Sequence, residues 1–373
     1  MNILCLDQFG ELGGAQRCLL DLIPAMAGRG WIVHVAAPGS GQLAERAAAF
    51  DFTVHPIRCG SYSSGSKTLP DIARFAAEAP RLAGEIRRLV QRLDVDLIYV
   101  NGPRLLPAAA LAVANAARPG PRVLFHSHSL LTGLARRVAG RSLAMLGAAM
   151  VASCRFVAAP LLPYSGDRGI RVVYNGVRRI SLPSRPPAAD FRIGVIGRIS
   201  PEKGQTDFLR AARILHDVAG QCRFVVCGAP LFSNPAARRY CTELDDLAED
   251  LPVEFAGWTE DVEGVLAMLD LVVVPSAAID ATPRVILEAF AAGVPVVAYA
   301  AGGIPEIVEH GVTGFLVEEH SPKALAFAIR DLLRDPHRLR EAAETARAKA
   351  RTEFSLERYR AQMIDAVEAA VRA

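Results

Sequence analysis

Short apolar runs rich in Val and Ile alternate along this chain with longer stretches whose apolar positions recur at a period near 3.6. The short runs are too uniformly apolar for a half-exposed sheet, so they read as strands buried on both faces of parallel sheets. The stretches between them read as the covering helices. In the first half, strands are expected at Ile3–Phe9, Ile32–Ala36, Leu97–Val100 and Val123–Phe125. A Gly10–Gly14 loop and an Ala15–Gly28 helix come after the first of them. The second half repeats the theme at Phe191–Gly197, Arg223–Cys227, Val253–Phe255, Leu271–Val274, Val296–Tyr299 and Phe315–Val317. After Leu271-Val-Val-Val-Pro-Ser276 the chain turns polar and delivers Asp280 onto a loop. Thr282 is then expected as an N-cap and Pro283 as the first helical residue, with an apolar face of Val285, Ile286, Ala289 and Phe290 and a stop at Gly293 and Pro295. Glu288 falls more than one turn inside that helix.

Between the halves, Ile180-Ser-Leu-Pro-Ser-Arg-Pro-Pro-Ala-Ala-Asp190 resists both helix and sheet. The expected fold class is α/β, with two doubly wound, Rossmann-like domains facing across a cleft. The boundaries run 1–180, a linker at 181–190, 191–354, and a last helix at 355–373 that packs back on the first domain. Ligands of such sheets bind beyond the carboxyl ends of the strands, so the loops there are the place to look for chemistry.

Composition narrows the classes. The chain has 373 residues, 51% hydrophobic and 22% charged, which suits a well-packed globular protein of two domains. No apolar stretch reaches the roughly 20 residues of a membrane span; the richest, Leu105–Ala117, is short and mostly alanine. The first residues lack the basic region and cleavage site of a signal peptide. Seven cysteines without metal-like pairs point to a reducing cytoplasm.

The net charge of +3 hides a split. Residues 1–180 carry 21 Lys+Arg against 11 Asp+Glu, net +10, and residues 181–373 carry 21 against 28, net −7. The excess includes Arg81, Arg87, Arg88, Arg136, Arg137, Arg141, Arg178 and Arg179. Either these are solvated helix faces, or the first half meets acidic lipid headgroups at the inner face of a membrane. Nucleic acid is disfavoured, because no aromatic residues interleave with the arginines to stack on bases.

Several loops carry candidate chemistry. Gly197-Arg-Ile-Ser-Pro-Glu-Lys-Gly204 joins the first strand of the second domain to a helix containing Phe208, Leu209, Ala212, Leu215 and Val218. Its Arg198 fork and Lys203 point charge suit neutralisation of a diphosphate, although two basic residues in a loop can also be merely solvated. They lie at the same sheet edge as Asp280. The N–H groups of Arg284 and Val285 at the next helix start favour an anion. Gly10-Glu-Leu-Gly-Gly14 can cradle a phosphate or sugar or simply make a tight turn. As a dinucleotide fingerprint it fails on spacing, and no acidic residue ends strand Ile32–Ala36. His126-Ser-His128 lands at the rim of the first domain, placed either to hydrogen-bond a ligand or to serve structure; as a metal pair it lacks a third ligand. Trp258 either lines a base pocket or packs. There is no Walker sequence, CxxC pair or Ser-His-Asp signature.

Taken together, Gly13-Gly14, the His126 strand end, Val173-Tyr-Asn-Gly-Val177, Gly197 to Gly204, Asp280 to Glu288, Gly302-Gly-Ile-Pro-Glu306 and Gly311-Val-Thr-Gly-Phe-Leu-Val317 resemble a large family of retaining GT-B glycosyltransferases. This is the group 1, family 4-like set that includes glycogen and sucrose synthases and bacterial mannosyltransferases. The resemblance implies that Arg198 and Lys203 hold the donor diphosphate, that Glu288 binds the ribose hydroxyls, and that Asp280 contacts the transferred sugar in place of the first glutamate of the family's Glu-x7-Glu motif. It further implies that Gly13 and Gly14 approach the distal phosphate or sugar, and that His126 lies near the sugar's hydroxymethyl group. Asp280 is one methylene shorter than the family's glutamate, and Thr282-Pro283 replaces its aromatic-glycine pair.

The resemblance therefore implies a cytoplasmic hexosyltransferase that moves a sugar with retention from a nucleotide diphosphate sugar, UDP before GDP, to a glycan, lipid-linked or small-molecule acceptor. No metal or other cofactor is implied. The alternatives are a catalytically silent nucleotide-sugar-binding partner in a glycan assembly complex and a nucleotide-sugar epimerase of the same fold.

Overall fold

Apolar β-branched runs bury both faces of a strand only when helices cover both sides, and each half of the chain solves this with a fully parallel sheet. In the computed structural model, residues 1–49, 52–59, 69–114, 120–182, 190–219, 222–230, 235–276 and 280–372 are described. The strands of the first sheet are β1 (Asn2–Leu6), β2 (Ile32–Ala37), β3 (Thr53–Pro56), β4 (Leu97–Val100), β5 (Arg122–Ser127), β6 (Ala149–Ala152) and β7 (Arg171–Val172). They are ordered β3-β2-β1-β4-β5-β6-β7. The second sheet contains β8 (Phe191–Ile196), β9 (Cys222–Cys227), β10 (Val253–Gly257), β11 (Leu271–Val274), β12 (Val296–Tyr299) and β13 (Phe315–Val317), ordered β10-β9-β8-β11-β12-β13. In both sheets the chain winds outward from its first strand, then crosses back to that strand's other side. That reversal lies between β1 and β4 in one sheet and between β8 and β11 in the other.

The chain divides into two compact units, Met1–Tyr174 with Tyr359–Ala373, and Asn175–Arg358. The division falls ahead of residue 180 because Val177 is bound into the second unit: its N–H donates to the Phe354 carbonyl (2.8 Å) and its carbonyl accepts from Leu356 N–H (3.0 Å). The linker expected at 181–190 falls largely on 183–189, outside the described residues. The last helix, Leu356–Arg372, joins the first unit from Tyr359 onward. There the Tyr359 hydroxyl donates to the Cys18 carbonyl (3.2 Å) and Arg360 Nε to the Asp21 carbonyl (2.7 Å).

Each unit has its own core. Leu4, Leu6, Ile98, Val100 and Phe125 are among the first, and Ile193, Val195, Phe224, Val226, Leu271 and Val273 among the second.

Three local expectations are corrected. The helix after Asp280 starts at Arg284, so Pro283 (φ −57°, ψ 120°) is the cap rather than the first helical residue, and Thr282 precedes the cap. A residue before proline is biased away from helical backbone, and Thr282 is instead buried, its Oγ1 accepting a hydrogen bond from Asn175 Nδ2 (3.4 Å). The first helix begins at Gly14, with Gly13 as its cap, so Gly14 is not a loop residue. His126 does not lie on a rim loop: pairing of His126 with Val151 and Ser127 with Ala152 carries β5 through it, and the side chain is fully buried.

Candidate functional site

In unit 2 the loops after β8 and β11 meet at the reversal point of the sheet, where doubly wound folds bind ligands. Arg198 and Lys203 lie on the first loop. On the second lies Asp280, which precedes the Arg284–Ala292 helix. The two loops touch backbone to backbone at Gly204, whose φ of +71° belongs to the left-handed region and whose missing Cβ would fall 1.9 Å from the Pro275 carbonyl oxygen. Only glycine fits there without displacement.

Lys203 Nζ donates to Asp280 Oδ2 at 2.6 Å, with the two side chains 25% and 17% exposed. Although one methylene shorter than glutamate, Asp280 therefore reaches the lysine of the neighbouring loop. Its carbonyl also accepts from Gly303 N–H (3.1 Å), which ties the Gly302–Glu306 segment to the same corner. Arg198 pairs with Glu202 within its own loop, and Arg284 Nε lies 3.9 Å from Glu288 Oε1, one helical turn on. Three cations thus face three carboxylates at this edge, an arrangement that an entering diphosphate can re-pair with less reorganisation than bare charges in water.

Gln205, not singled out by sequence, organises the basic loop. Fully buried, it donates from Nε2 to the Arg198 carbonyl (2.9 Å), while its Oε1 accepts from the Tyr240 hydroxyl (3.2 Å). Trp258, by contrast, is 42% exposed beyond the edge strand β10.

Unit 1 places its own polar cluster at its own reversal point. Asp7 comes directly after β1 and Asn101 directly after β4, and the pairing of Leu6 with Val100 sets them side by side. Asn101 Nδ2 donates to Asp7 Oδ2 (2.6 Å), and Gln16 Nε2 to Asp7 Oδ1 (2.8 Å). Gln16 Oε1 in turn accepts from the Gly13 N–H (3.1 Å), so the glycine loop is anchored to Asp7 through one side chain. On the other side, Asn101 Oδ1 lies 2.9 Å from His128 Nε2, and the His128 ring sits 3.8 Å from that of His126. None of Asp7, Gln16, Asn101 and Tyr99 was singled out by sequence. The available signal was a polar residue ending an apolar strand, at Asp7 and again at Asn101.

Protonation in this cluster is set by burial. His126 is held well below the usual histidine range by burial and by His128, and Tyr99 well above the usual phenol range by burial. With both neutral, the Tyr99 hydroxyl and His126 Nδ1 share a hydrogen bond of 2.6 Å. His126 Nε2 is buried and finds no partner among the described residues.

Burial pushes the Asp7 carboxyl up to about 6, against the opposing pull of hydrogen bonds from Asn101, Phe9, Gln16 and Gln8. Because the folded value is raised, the native state holds the proton where the unfolded chain has lost it, and stability falls as pH rises from about 4 through 6. We expect Asp7→Asn, which mimics the protonated form in shape, to abolish this dependence. The unfolding free energy of the variant relative to the parent should improve by about 3 kcal/mol between pH 4 and 8. Denaturant titrations of both proteins across that range check it, and parallel curves would refute it.

Comparison with known proteins matches this layout. Residues 12–179 match the family described as Glycosyltransferase Family 4 and residues 190–335 that described as Glycosyl transferases group 1. The chain is 34% identical over 219 residues to D-inositol 3-phosphate glycosyltransferase of Salinispora tropica, covering 56% of this chain and 43% of that protein. It is 41% identical over 155 residues to a protein of the same name from Mycobacterium, covering 40% and 34%. The matches thus span less than half the length of these curated relatives. Among solved structures, HepE of Anabaena in complex with UDP and glucose superimposes with a TM-score of 0.83 at 25% identity over 99% of both chains. Sucrose-phosphate synthase of Thermosynechococcus elongatus gives 0.80 at 20% identity over 99% and 98%, a likeness of fold. With two parallel Rossmann-like units in the order these families prescribe, the chain belongs to the family 4-like, group 1 glycosyltransferases of GT-B fold.

Proposed function

We propose that the chain is a retaining glycosyltransferase that moves a sugar from a nucleoside diphosphate sugar to an acceptor hydroxyl in glycan, polysaccharide or glycolipid assembly, on the cytoplasmic side and without a metal. UDP is the favoured carrier and GDP the next. The observation that carries this reading is the meeting of Arg198, Lys203, Asp280 and the Arg284 helix start at one sheet edge, closed by the 2.6 Å Lys203–Asp280 bond. Support for UDP comes from HepE, solved with UDP and glucose and with UDP-glucose.

In this mechanism Glu288 accepts from the ribose hydroxyls, and the diphosphate lies against Arg198, Lys203 and the amides of Arg284 and Val285, ahead of which Thr282 and Pro283 fix the direction of the chain. Binding of the diphosphate draws Lys203 from Asp280 and frees the carboxylate for a sugar hydroxyl. As the bond from the anomeric carbon to the diphosphate breaks, its electron pair leaves with the phosphate oxygen, and these cations and dipoles stabilise the growing charge. The acceptor hydroxyl attacks from the same face, and the departing phosphate oxygen takes its proton, so configuration is retained. In unit 1, Gly13 and Gly14 keep the approach to phosphate or sugar that the resemblance implies, with the Gly13 N–H itself held by Gln16, and His126 offers its unpartnered Nε2 to the sugar.

The test is a panel of UDP, GDP, ADP and TDP sugars in thermal melts, then NMR assignment of the product anomer. A UDP sugar present at about a hundredfold over its Kd should stabilise the fold by about 2.7 kcal/mol, and the product should keep the donor's configuration. Inertness towards all four classes would overturn the proposal. Product formed without any acceptor would make the chain an epimerase, and binding without turnover a silent partner.

A further inference from the structure

From Leu97 to Gly166 the sequence contains no aspartate or glutamate, and between Asp96 and Asp190 the one carboxylate side chain is that of Asp167. The helix Gly133–Leu146 lies within this interval. Its Ala139, Gly140, Ser142 and Leu143 are buried, and the turn Ala159–Tyr164 packs against it closely enough that a Cβ on Gly140 would fall 2.5 Å from the Tyr164 ring. Its outward stripe runs Leu134, Arg137, Arg141, Met145, at spacings of three and four residues, with Arg136 also exposed in the first turn. Leu134 is 47% and Met145 69% exposed, and the packed turn adds Leu162 at 55%.

A helix face built only to be solvated mixes charges of both signs at i,i+4 and keeps large apolar side chains off the stripe. This face does neither: among the described residues Arg137 and Arg141 form no ion pair, and they are bracketed by Leu134 and Met145.

We infer that the exposed face of the Gly133–Leu146 helix docks on an anionic lipid bilayer. Arginine forks match headgroup phosphates, while Leu134, Met145 and Leu162 enter the interfacial layer. A nucleic acid or other soluble polyanion would use the arginines and leave the apolar residues with nothing to do, which favours the bilayer. No described helix is long and apolar enough to cross a membrane, so attachment here is peripheral and reversible. The helix is joined to β5 through the loop after Ser127, so docking holds the unit 1 carboxyl edge beside the lipid surface. That use, presenting the edge to a lipid-borne acceptor, rests on the proposed transfer reaction; the docking itself does not.

Co-sedimentation of the full chain with vesicles tests it. The chain should pellet with phosphatidylcholine vesicles containing roughly 30% phosphatidylglycerol and not with pure phosphatidylcholine, less so as salt is raised. Arg137→Glu with Arg141→Glu should lower the partition coefficient roughly tenfold or more, as should Leu134→Ser with Met145→Ser. Reversal of the exposed Arg238 and Arg239, on helix Pro235–Ala248 of unit 2, should not. Every variant should keep its melting temperature and its stabilisation by nucleotide sugar, so loss of docking and failure of the transferase reading are separate outcomes. Equal partition on neutral vesicles, no partition, or indifference to Leu134→Ser with Met145→Ser alongside full competition by heparin would each overturn the inference; the last would assign the face to a soluble polyanion.

Discussion

Arg198→Ala should lower kcat for transfer by roughly 10²–10³-fold, the loss seen when one preorganised donor to a developing negative charge is removed. The reason lies in how the arginine is held. Its carbonyl is bonded by the buried Gln205, its guanidinium is paired with Glu202, and Glu202 lies on the same short loop. The side chain is thus positioned before any ligand arrives, and its fork can pass from one carboxylate to a diphosphate without crossing bulk water. Lys203→Ala should fall in the same range, with a further signature. Removing the ammonium leaves the Asp280 carboxylate, 17% exposed, without its ion partner at 2.6 Å, so donor KM should rise along with the fall in kcat. Steady-state kinetics with a matched donor and acceptor separate the two. If either alanine variant kept its kcat, charge stabilisation would have to come from elsewhere.

Gly204→Ala should be the most damaging small substitution in unit 2. Alanine at φ +71° carries a backbone strain of roughly 1–2 kcal/mol. The collision of its Cβ with the Pro275 carbonyl oxygen, 1.9 Å away, should add about 1–3 kcal/mol by forcing the two site loops apart. Gly30→Ala supplies the comparison, because Gly30 has nearly the same φ, +76°, and nothing within 4 Å of its Cβ position. The two variants should differ in unfolding midpoint by the collision alone, and Gly204→Ala should also lose donor binding. Equal losses in stability would mean that the loop contact is unimportant. Gly10 in unit 1 also lies against backbone, its Cβ site 2.2 Å from the Ser40 carbonyl oxygen in the loop after β2.

How far the sequence can be read depends on burial. All six strands of the second sheet are legible to within a residue or two, because Leu271-Val-Val-Val274 and its neighbours are apolar on both faces and bounded by turn residues. In the first sheet β3, β6 and β7 are not. β3 is a partly exposed edge, β6 is Ala-Met-Val-Ala without a β-branched majority, and β7 has two residues. None of the three carries the pattern that marks a buried strand. The basic loop and the acidic helix start are legible because glycine, proline and charge sit at fixed offsets from strong strands. The Asp7–Asn101–His128 chain is not, since it joins residues 94 and 27 positions apart, and sequence spacing does not record strand register.

By itself the sequence determined the α/β class, the alternation that makes parallel sheets, and the identity of the charged residues at their carboxyl ends. Periodicity and turn chemistry are local, and a local signal survives in one dimension. Only the tertiary structure decided that Lys203 bonds Asp280 and not solvent, that Pro283 caps the helix instead of opening it, and that His126 is buried, neutral and bonded to Tyr99. Each of those depends on which strand lies beside which and on how far water is excluded, and both are set by packing.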